Sequence, residues 1–315
     1  MLIVRLYATE WLYNKRTREF LSYIDLGENI ATDDEDREAK EALFLMLVAL
    51  RSNWKYPVGY VLIDKVDAST LNSFLCRALR LGVEHSILIR CITMDGTSTN
   101  FAAMRLFGCK LGKSLSEING EFYFEGYSHS LFFTPDPPHI LKLARNALAE
   151  LKVLIDPDGR EIKWRFITNL HDEQLNEGLK LGNKLSKKHI EYQNHKMKVS
   201  VAAQTLSSSV ADAIEFLESI GHPMFQGASA TVTFIRKVDR IFDLLNSRNP
   251  QATGFKPAMR KQNTALTNHI IESSVNYLSE LKDENGVSLL KHRRKTFALG
   301  LITTGKCIKK MAWDL

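Results

Sequence analysis

The 315-residue sequence lacks several features that would assign it to common functional classes. No apolar run approaches the roughly 18 residues of a membrane-spanning helix. The cysteines number only four and form no C-x-x-C pair, and no histidine stands at zinc-finger spacing. A zinc-binding DNA reader is therefore excluded from this sequence, and free thiols are predicted. The G-x-x-x-x-G-K-[ST] phosphate loop is missing as well, which excludes a conventional P-loop.

The composition is that of a soluble globular protein, with 44% hydrophobic and 25% charged residues. The first residues have neither the basic region nor the apolar core of a secretory signal, so an intracellular protein is expected. The net charge of +6 and the pI near 9.0 favour an acidic partner such as nucleic acid. Many proteins of this charge bind nothing anionic, so the charge leaves that question open.

The first half of the chain alternates between strand and helix patterns. β-Branched and aromatic runs predict strands at residues 20–26, 42–50, 58–63, 86–94 and 131–133. Helical spacing predicts one helix from about residue 68, starting at Ser69 or Thr70, and another from Thr97 or Ser98 to about Phe107. Strands that alternate with helices indicate an α/β sheet.

After about Leu151 helical patterns dominate, which places a domain boundary there. Apolar residues recur at three- and four-residue steps over 175–185, 199–217 and 228–245. Pro250, Gly254 and Pro257 stand close together in a polar stretch and predict a loop between helices.

Asp95 is the most informative carboxylate in the sequence. It follows a buried strand and precedes Gly96, a position from which a side chain projects beyond the sheet edge. Several carboxylates that converge at such a point hold two Mg²⁺ ions in phosphoryl-transfer enzymes, but one Asp does not suffice. Asp-Gly is also a common turn signal, and this bare-sequence alternative stays open.

Two further clusters have basic residues near a predicted helix start. Asp136 and the prolines after it form a helix cap, and Lys142 and Arg145 are spaced to share one helix face. Such a face meets a phosphate backbone or is simply solvated. The lysines and hydroxyls of residues 183–186 and 196–207 are candidates to hold nucleotide phosphates, or else are surface residues.

Two charged runs carry less information. The acidic residues 32–40 are typical of a solvated loop, with a metal or partner site as the alternative. The basic residues 291–295 form a nuclear-import signal, a nucleic-acid contact or a solvated turn.

Taken together, six ordered motifs resemble the P-element-type DNA transposase family, which includes THAP-domain relatives in animals. The motifs are F-L-S-Y-I-D-L-G at 20–27, W-K-Y-P-V-G-Y at 54–60, M-D-G at 94–96 with Asn100, D-P-P-H-I-L-K at 136–142 with R-N at 145–146, M-K-V at 197–199 with A-Q at 203–204 and S-S at 207–208, and F-D-L-L-N-S-R at 242–248.

The resemblance implies a fold and an activity. The expected fold is an α/β RNase H-like mixed sheet interrupted by a mainly α-helical inserted domain that binds GTP. The corresponding domains are residues 1–150, 151–290 and 291–315, the last being the return to the RNase H-like domain. The implied activity is the cutting and joining of transposon-end DNA with Mg²⁺ in the nucleus; assembly with further copies of the chain stays open.

The resemblance also implies site residues. Asp95 matches the second catalytic carboxylate and is an expected Mg²⁺ ligand. The residues that match the family's nucleotide contacts are Lys184, Lys198, Val199, Ser207 and Asp243. The lysines would meet phosphates, and Asp243 would accept hydrogen bonds from the edge of guanine.

The chain departs from the family pattern at two catalytic positions. The family's first catalytic Asp belongs to an Asp-Glu-Met-like segment at the place where this chain reads M-L-I-V-R. The last, a Glu, lies beyond the match to residues 293–300. With one carboxylate of three, this polypeptide is expected to bind guanine nucleotide without cutting DNA by itself, and DNA binding stays open. The alternatives are an active transposase completed by flanking sequence and a non-catalytic interaction module.

Overall fold

The structure is a computed structural model. It describes residues 2–7, 12–14, 19–21, 39–50, 52–178, 180–247, 252 and 254–312, the first three ranges as backbone only. The chain forms two compact units, one of residues 1–109 and 121–134 and one of residues 110–120 and 135–315. The division at residue 134 differs from the boundary expected near residue 150, and the limits of the three domains stay a prediction.

The elements are numbered in chain order. The strands are β1 (Leu2–Tyr7), β2 (Leu12–Asn14), β3 (Glu19–Leu21), β4 (Glu41–Val48), β5 (Lys55–Ile63), β6 (Cys91–Met94), β7 (Lys110–Leu111), β8 (Ile118–Asn119), β9 (Glu121–Phe122), β10 (Leu131–Pro135), β11 (Val153–Ile155), β12 (Glu161–Lys163) and β13 (Lys282–Asp283). The α-helices are α1 (Ala68–Glu84), α2 (Ser98–Leu106), α3 (Pro137–Leu151), α4 (Arg165–Asn176), α5 (Lys187–Ile190), α6 (Val199–Thr205), α7 (Ser208–Ser219), α8 (Ser229–Leu245), α9 (Thr264–Glu280) and α10 (Thr296–Met311). Short 3-10 turns lie at Leu115–Glu117, Tyr192–His195, Pro223–Phe225, Lys261–Asn263 and Leu289–Lys291.

The first unit is built on a six-stranded mixed sheet in the order β5-β4-β1-β6-β10-β9. β4 runs antiparallel to both β1 and β5, whereas β6 runs parallel to β1. Parallel strands require a crossover connection, and α1 lies in the connection that leads from β5 at one edge of the sheet to β6 beside β1. The predicted mixed α/β sheet is therefore confirmed, as are the strands predicted at 42–50, 58–63 and 131–133.

α1 shows how the sequence pattern becomes packing. Leu71, Leu75 and Leu79 recur every four residues and are at most 1% exposed, because they form the helix face that covers the sheet. The predicted start at Ser69 or Thr70 is wrong: Asp67 is the N-cap, and its Oδ1 accepts a hydrogen bond of 2.8 Å from the Thr70 amide.

β6 is shorter than the strand predicted at 86–94. Only Cys91–Met94 pair in the sheet, and Ser86 has a φ of +54°, a left-handed conformation that a strand does not accommodate. Asp95 follows β6 directly. Thr97 caps α2 as predicted, since its side chain accepts a hydrogen bond from the Asn100 amide.

The second unit is mainly helical, with α3, α8, α9 and α10 packed together. α10 is buried along most of its length, and Gly300 allows its close approach to α3. A Cβ placed on Gly300 would lie 2.5 Å from Cδ1 of Ile140, so this position requires glycine unless Ile140 moves. Asp136 caps α3 as predicted, and its Oδ2 accepts a hydrogen bond of 3.0 Å from the His139 amide.

Two predicted helices of this unit are corrected. The helix predicted at 175–185 is wrong beyond its first two residues: α4 ends at Asn176, and Gly178 and Gly182 have φ values of +64° and +66°. The helix predicted at 199–217 is divided into α6 and α7, because Ser207 adopts an extended conformation between them. The helix predicted at 228–245 is confirmed as α8.

Some sequence predictions fall wholly or partly outside the described residues. Of the strand predicted at 20–26, the structure describes residues 20 and 21 as the end of β3. Of the acidic run at 32–40, it describes residues 39 and 40. The loop prediction near Pro250 also lies outside, apart from Gly254 and Pro257.

Candidate functional site

A cavity of about 650 Å³ opens among α6, α7 and α8 in the second unit. The chain around Gly182 and the segment 254–256 complete its wall. Three of the five residues predicted to contact a nucleotide line this cavity, namely Lys184, Ser207 and Asp243. Residues far apart in sequence therefore converge on one volume, which is large enough for a small-molecule ligand.

The other two predicted residues stand beside the cavity and not in its lining. Lys198 is the exposed N-cap of α6, and Val199 is the first residue of that helix. The next residue, Ser200, does line the cavity. The structure thus places Lys198 and Val199 at the start of the helix that forms one wall.

Part of the cavity wall carries groups that suit an anion. Lys184 and Lys256 both line it, and both side chains are largely exposed. The start of α7 adds hydroxyl groups, with Ser207 Oγ 3.0 Å from Ser209 Oγ. Cations together with the N-terminus of a 12-residue helix form a favourable environment for phosphate.

Asp239 is tied to the start of α7. Its Oδ2 accepts hydrogen bonds from the amide and the hydroxyl of Ser208, at 2.9 and 2.5 Å. These bonds join α8 to α7 and fix the position of the serines in the cavity wall. Asp239 therefore acts in the architecture of the site.

Asp243 lies one helical turn after Asp239 and has a different environment. Its half-buried carboxylate is 3.8 Å from the ammonium of Lys256. Burial, and secondly the neighbouring charge of Asp239, raise the pKa of Asp243 to about 6, and Lys256 opposes this effect. Asp243 is thus a carboxylate that loses its charge only slightly below neutral pH.

Aromatic side chains form the apolar part of the wall. Phe242 and Phe255 both line the cavity. The guanidinium carbon of Arg240 lies 5.2 Å from the centre of the Phe255 ring, a cation–π contact that helps to hold this ring. An aromatic wall beside a carboxylate and cations suits a ligand with a flat polar ring and an anionic tail.

Asp95 occupies the other candidate site, in the first unit at the end of β6. Its Oδ1 accepts hydrogen bonds from the side-chain nitrogen of Asn100 at 2.5 Å and from the Thr97 amide at 3.3 Å. Both bonds end on the same oxygen, so the carboxylate is oriented by the start of α2 while Oδ2 takes no part in them. The position at the sheet edge is as predicted.

Asp95 belongs to no metal-binding cluster among the described residues. Within that part of the chain, no group of three or more His, Cys, Asp or Glu side chains is arranged to hold a metal ion. Asp95 fits the role of a single ligand and does not form a metal site alone. No step through a metal is derived from this geometry.

Arginines from two of the predicted basic segments, Arg145 and the run at 291–295, have partners within the protein. Arg145, expected on a solvated or phosphate-facing surface with Lys142, is fully buried: its Nη2 donates to the carbonyls of His195 and Lys196, at 3.1 and 3.3 Å. That expectation is wrong for Arg145, because the helix face meets protein. In the basic run, Arg293 and Arg294 pair with Glu150.

Comparison with known proteins identifies the family. One family model, described as "TNP-like, RNase H N-terminal domain", matches residues 8–108, and another, "TNP-like, GTP-binding insertion domain", matches residues 138–258. The human protein "DNA transposase THAP9" is 24% identical over 290 residues, which are 91% of this chain. The chain belongs to the P-element-type transposase family.

The solved structure "Drosophila P element transposase strand transfer complex" shares the fold of this family member. It aligns over 100% of the chain with a TM-score of 0.76 and 21% identity. The RNase H-like mixed sheet with a helical insertion is therefore confirmed. This transposase family member spans 32% of the length of the human relative and 64% of the solved chain.

Sequence reasoning missed several cavity residues of this transposase family member. Asp239 and Lys256 were not singled out, nor was Phe255, and Gln204 was noted only as part of a motif. A signal was present for Asp239, since it stands four residues before Asp243 and so shares its helix face. Lys256 and Phe255 follow a loop whose path the sequence does not reveal.

Among the described residues, no helix is both long and apolar enough to cross a membrane.

Proposed function

We propose that this chain is part of a P-element-like DNA transposase and that its helical unit binds a guanine nucleotide in the cavity among α6, α7 and α8. The observation that carries the proposal is the convergence of Lys184, Ser207 and Asp243 on one cavity. All three lie within the match to the GTP-binding insertion domain model.

The proposed roles follow from the chemistry of the wall. Lys184 and Lys256 bind phosphate oxygens together with the serines at the start of α7. Lys198 supplies further positive charge from the start of α6, and Val199 holds that turn beside the ligand. Asp243 accepts hydrogen bonds from the N–H donors on the edge of guanine. Adenine does not present the same pattern of donors. Phe255 packs against the base.

GTP fits this site by the chemistry of its parts. A half-buried acceptor at Asp243 matches the donors of guanine, and the cations match the triphosphate. On binding, guanine replaces Lys256 as the partner of Asp243, which leaves the Lys256 ammonium for the nucleotide's anionic part. Binding thus replaces the ion pair between Lys256 and Asp243 by hydrogen bonds from guanine to Asp243 and from Lys256 to the anionic part of the nucleotide.

For the first unit we propose contact with transposon-end DNA and one Mg²⁺ ligand, Asp95, with nuclear localisation following from a DNA substrate. The family supports this proposal. Because the described residues contain no group of three or more side chains that could hold a metal ion, we propose that this polypeptide binds nucleotide without cutting DNA by itself. An active enzyme requires further ligands from outside the described residues.

A titration with fluorescent GTP tests the nucleotide site. Saturable binding that unlabelled GTP displaces and ATP does not is expected, with at least a tenfold loss in Lys184→Ala and Asp243→Ala. Lys187→Ala is the matched control, since Lys187 is an exposed lysine outside the cavity lining. A folded wild-type protein, verified by its thermal transition, that binds no GTP would overturn the assignment.

A further inference from the structure

Gln204 connects the cavity to a buried histidine. The side chain of Gln204 lines the cavity from α6. Its Oε1 lies 3.0 Å from Nε2 of His189, and the His189 ring belongs to a residue with 0% exposure. The hydrogen bonds of this ring therefore determine which end of the Gln204 amide faces the ligand.

The tautomer of His189 is inferred from the contacts that Ser186 makes with its Nδ1. The backbone amide of Ser186 points at His189 Nδ1, 3.0 Å away. A backbone amide only donates, and it lies closer to Nδ1 than the Ser186 carbonyl oxygen does, at 3.0 against 3.2 Å, so we take Nδ1 as the acceptor and place the single ring proton on Nε2. Burial lowers the pKa of His189, which keeps the ring neutral near pH 7.

This tautomer fixes the orientation of the Gln204 amide. Nε2–H of His189 donates, so the atom that faces it must be the acceptor Oε1. Rotation of the amide by 180° would bring two donors together at 3.0 Å and lose the buried hydrogen bond of His189. The amide nitrogen of Gln204 is thereby turned away from the histidine, and no acceptor for it is found among the described residues.

The neighbours of Gln204 indicate which ligand atom it meets. Ser207 Oγ donates to the backbone carbonyl of Gln204 at 3.1 Å, so Gln204 adjoins the hydroxyl-rich start of α7. These hydroxyls belong to the part of the wall that is proposed to bind phosphate. Asp243, the proposed guanine contact, lies on a different helix.

We propose that Gln204 binds the nucleotide directly, by donating a hydrogen bond from its amide nitrogen to a phosphate oxygen, and that His189 is the positioning residue that holds this donor toward the ligand. The proposal rests on the nucleotide function proposed above and adds two residues to it. A hydrogen bond to a charged oxygen contributes about 1.5–3 kcal/mol, which corresponds to roughly 10- to 100-fold in affinity.

The test compares GTP, GDP and guanosine as competitors of fluorescent GTP. Gln204→Met removes the donor at similar volume, and Gln204→Glu retains the acceptor for His189 but presents an oxygen to the phosphate. Gln204→Met is expected to weaken GTP binding about tenfold, and Gln204→Glu to weaken it more. The affinity for guanosine is expected to stay unchanged in Gln204→Met.

The role of His189 is tested through Gln204. His189→Phe keeps the ring volume but removes the donor, so GTP affinity should fall, and the double variant with Gln204→Met should bind no worse than Gln204→Met alone. A purely structural effect of His189 would instead add to that of Gln204→Met. If His189→Phe does not fold, the opposite ranking of Gln204→Met and Gln204→Glu would overturn the orientation.

Each result has one meaning. Wild-type binding with unchanged affinity in Gln204→Met overturns this inference and leaves the nucleotide site intact. An equal loss of guanosine and GTP binding in Gln204→Met overturns the phosphate contact. A folded wild-type protein that binds none of the three competitors overturns the nucleotide site and this inference together.

Discussion

The ammonium of Lys256 lies 3.8 Å from Oδ2 of Asp243, at the wall of the cavity among α6, α7 and α8. Burial and Asp239 raise the pKa of Asp243, and the positive charge of Lys256 opposes this rise. A ligand that approaches Asp243 with N–H donors must displace this ammonium. The pair therefore makes both ligand affinity and protein stability depend on the charge of Asp243.

Guanine-nucleotide binding is expected to weaken as the pH falls through about 6. The pKa of Asp243 is raised to about 6 in the ligand-free protein, and only the ionised carboxylate accepts hydrogen bonds from guanine on both oxygens. Below this pKa, the apparent Kd should rise about tenfold per pH unit. Titrations with fluorescent GTP between pH 5 and 8 measure this rise in the apparent Kd.

Asp243→Asn is the control for this pH profile. Any pH dependence that remains in Asp243→Asn belongs to the phosphates of the nucleotide or to other groups. An identical slope in the wild-type protein and in Asp243→Asn would show that Asp243 does not govern binding.

Asp243→Asn is also expected to stabilise the ligand-free protein near pH 7.5. The folded-state pKa of Asp243 is about 6, above its ordinary value of 3.8, so the ionised carboxylate opposes folding above pH 6. This penalty disappears as the pH falls from 6 toward 3.8. With allowance for solvent at the partly exposed side chain, the gain is about 1 kcal/mol, or a few degrees in Tm.

Thermal unfolding at pH 7.5 and pH 5 distinguishes this effect from a change in packing. The difference in Tm between Asp243→Asn and the wild-type protein should shrink at pH 5, where the wild-type carboxyl is mostly protonated. A difference that is the same at both pH values would contradict the linkage.

The sequence revealed the elements better than their ends. The four-residue recurrence of Leu71, Leu75 and Leu79 predicted α1 because a covered helix face must be apolar at that spacing. The same reasoning failed at residues 175–185, where apolar side chains continue but Gly178 and Gly182 adopt positive φ. Periodicity reports burial, whereas helix ends depend on backbone conformation and caps.

The residues of the candidate site were likewise predicted only in part. The family motifs selected Lys184, Ser207 and Asp243, which the fold brings to one cavity. Motif spacing gave no indication that Arg145 is buried, because a helix face can meet solvent or protein with the same charge pattern. Nor did it reveal Lys256, since the approach of the segment 254–256 to α8 is a tertiary contact.

Arg145→Ala is expected to destabilise the second unit by about 2–4 kcal/mol. The Arg145 guanidinium is fully buried, donates to the carbonyls of His195 and Lys196, and lies 5.3 Å from the ring of Tyr192. Its removal leaves a cavity and leaves the two carbonyls without this donor. Chemical denaturation measures the loss, and Arg165→Ala, at an exposed residue, is the control.

If Arg145 instead contacted DNA, the variant would keep wild-type stability and lose DNA affinity. A normal denaturation midpoint in Arg145→Ala would therefore contradict the buried role. Reduced GTP affinity at full stability would also contradict the buried structural role. That outcome would point to the nucleotide site, because Lys196, whose carbonyl Arg145 contacts, lies only two residues before Lys198.

Asp95 provides the test of cleavage. Its carboxylate is oriented by Asn100 Nδ2 at 2.5 Å, yet the described residues contain no cluster of acidic or histidine ligands around it. Two-metal phosphoryl transfer needs several converging carboxylates. The purified chain is therefore expected to leave a supercoiled plasmid that carries transposon ends uncut in the presence of Mg²⁺ or Mn²⁺.

The comparison with Asp95→Ala makes this expectation decisive. Identical plasmid profiles for the wild-type protein and Asp95→Ala, over a range of metal and protein concentrations, are the expected result. Asn100→Ala is the matched control, because it removes the orienting donor but keeps the carboxylate. A metal-dependent nick that the wild-type protein produces and Asp95→Ala does not would show that this chain completes a catalytic site, with the missing ligands supplied by residues outside the described ranges or by another copy of the chain.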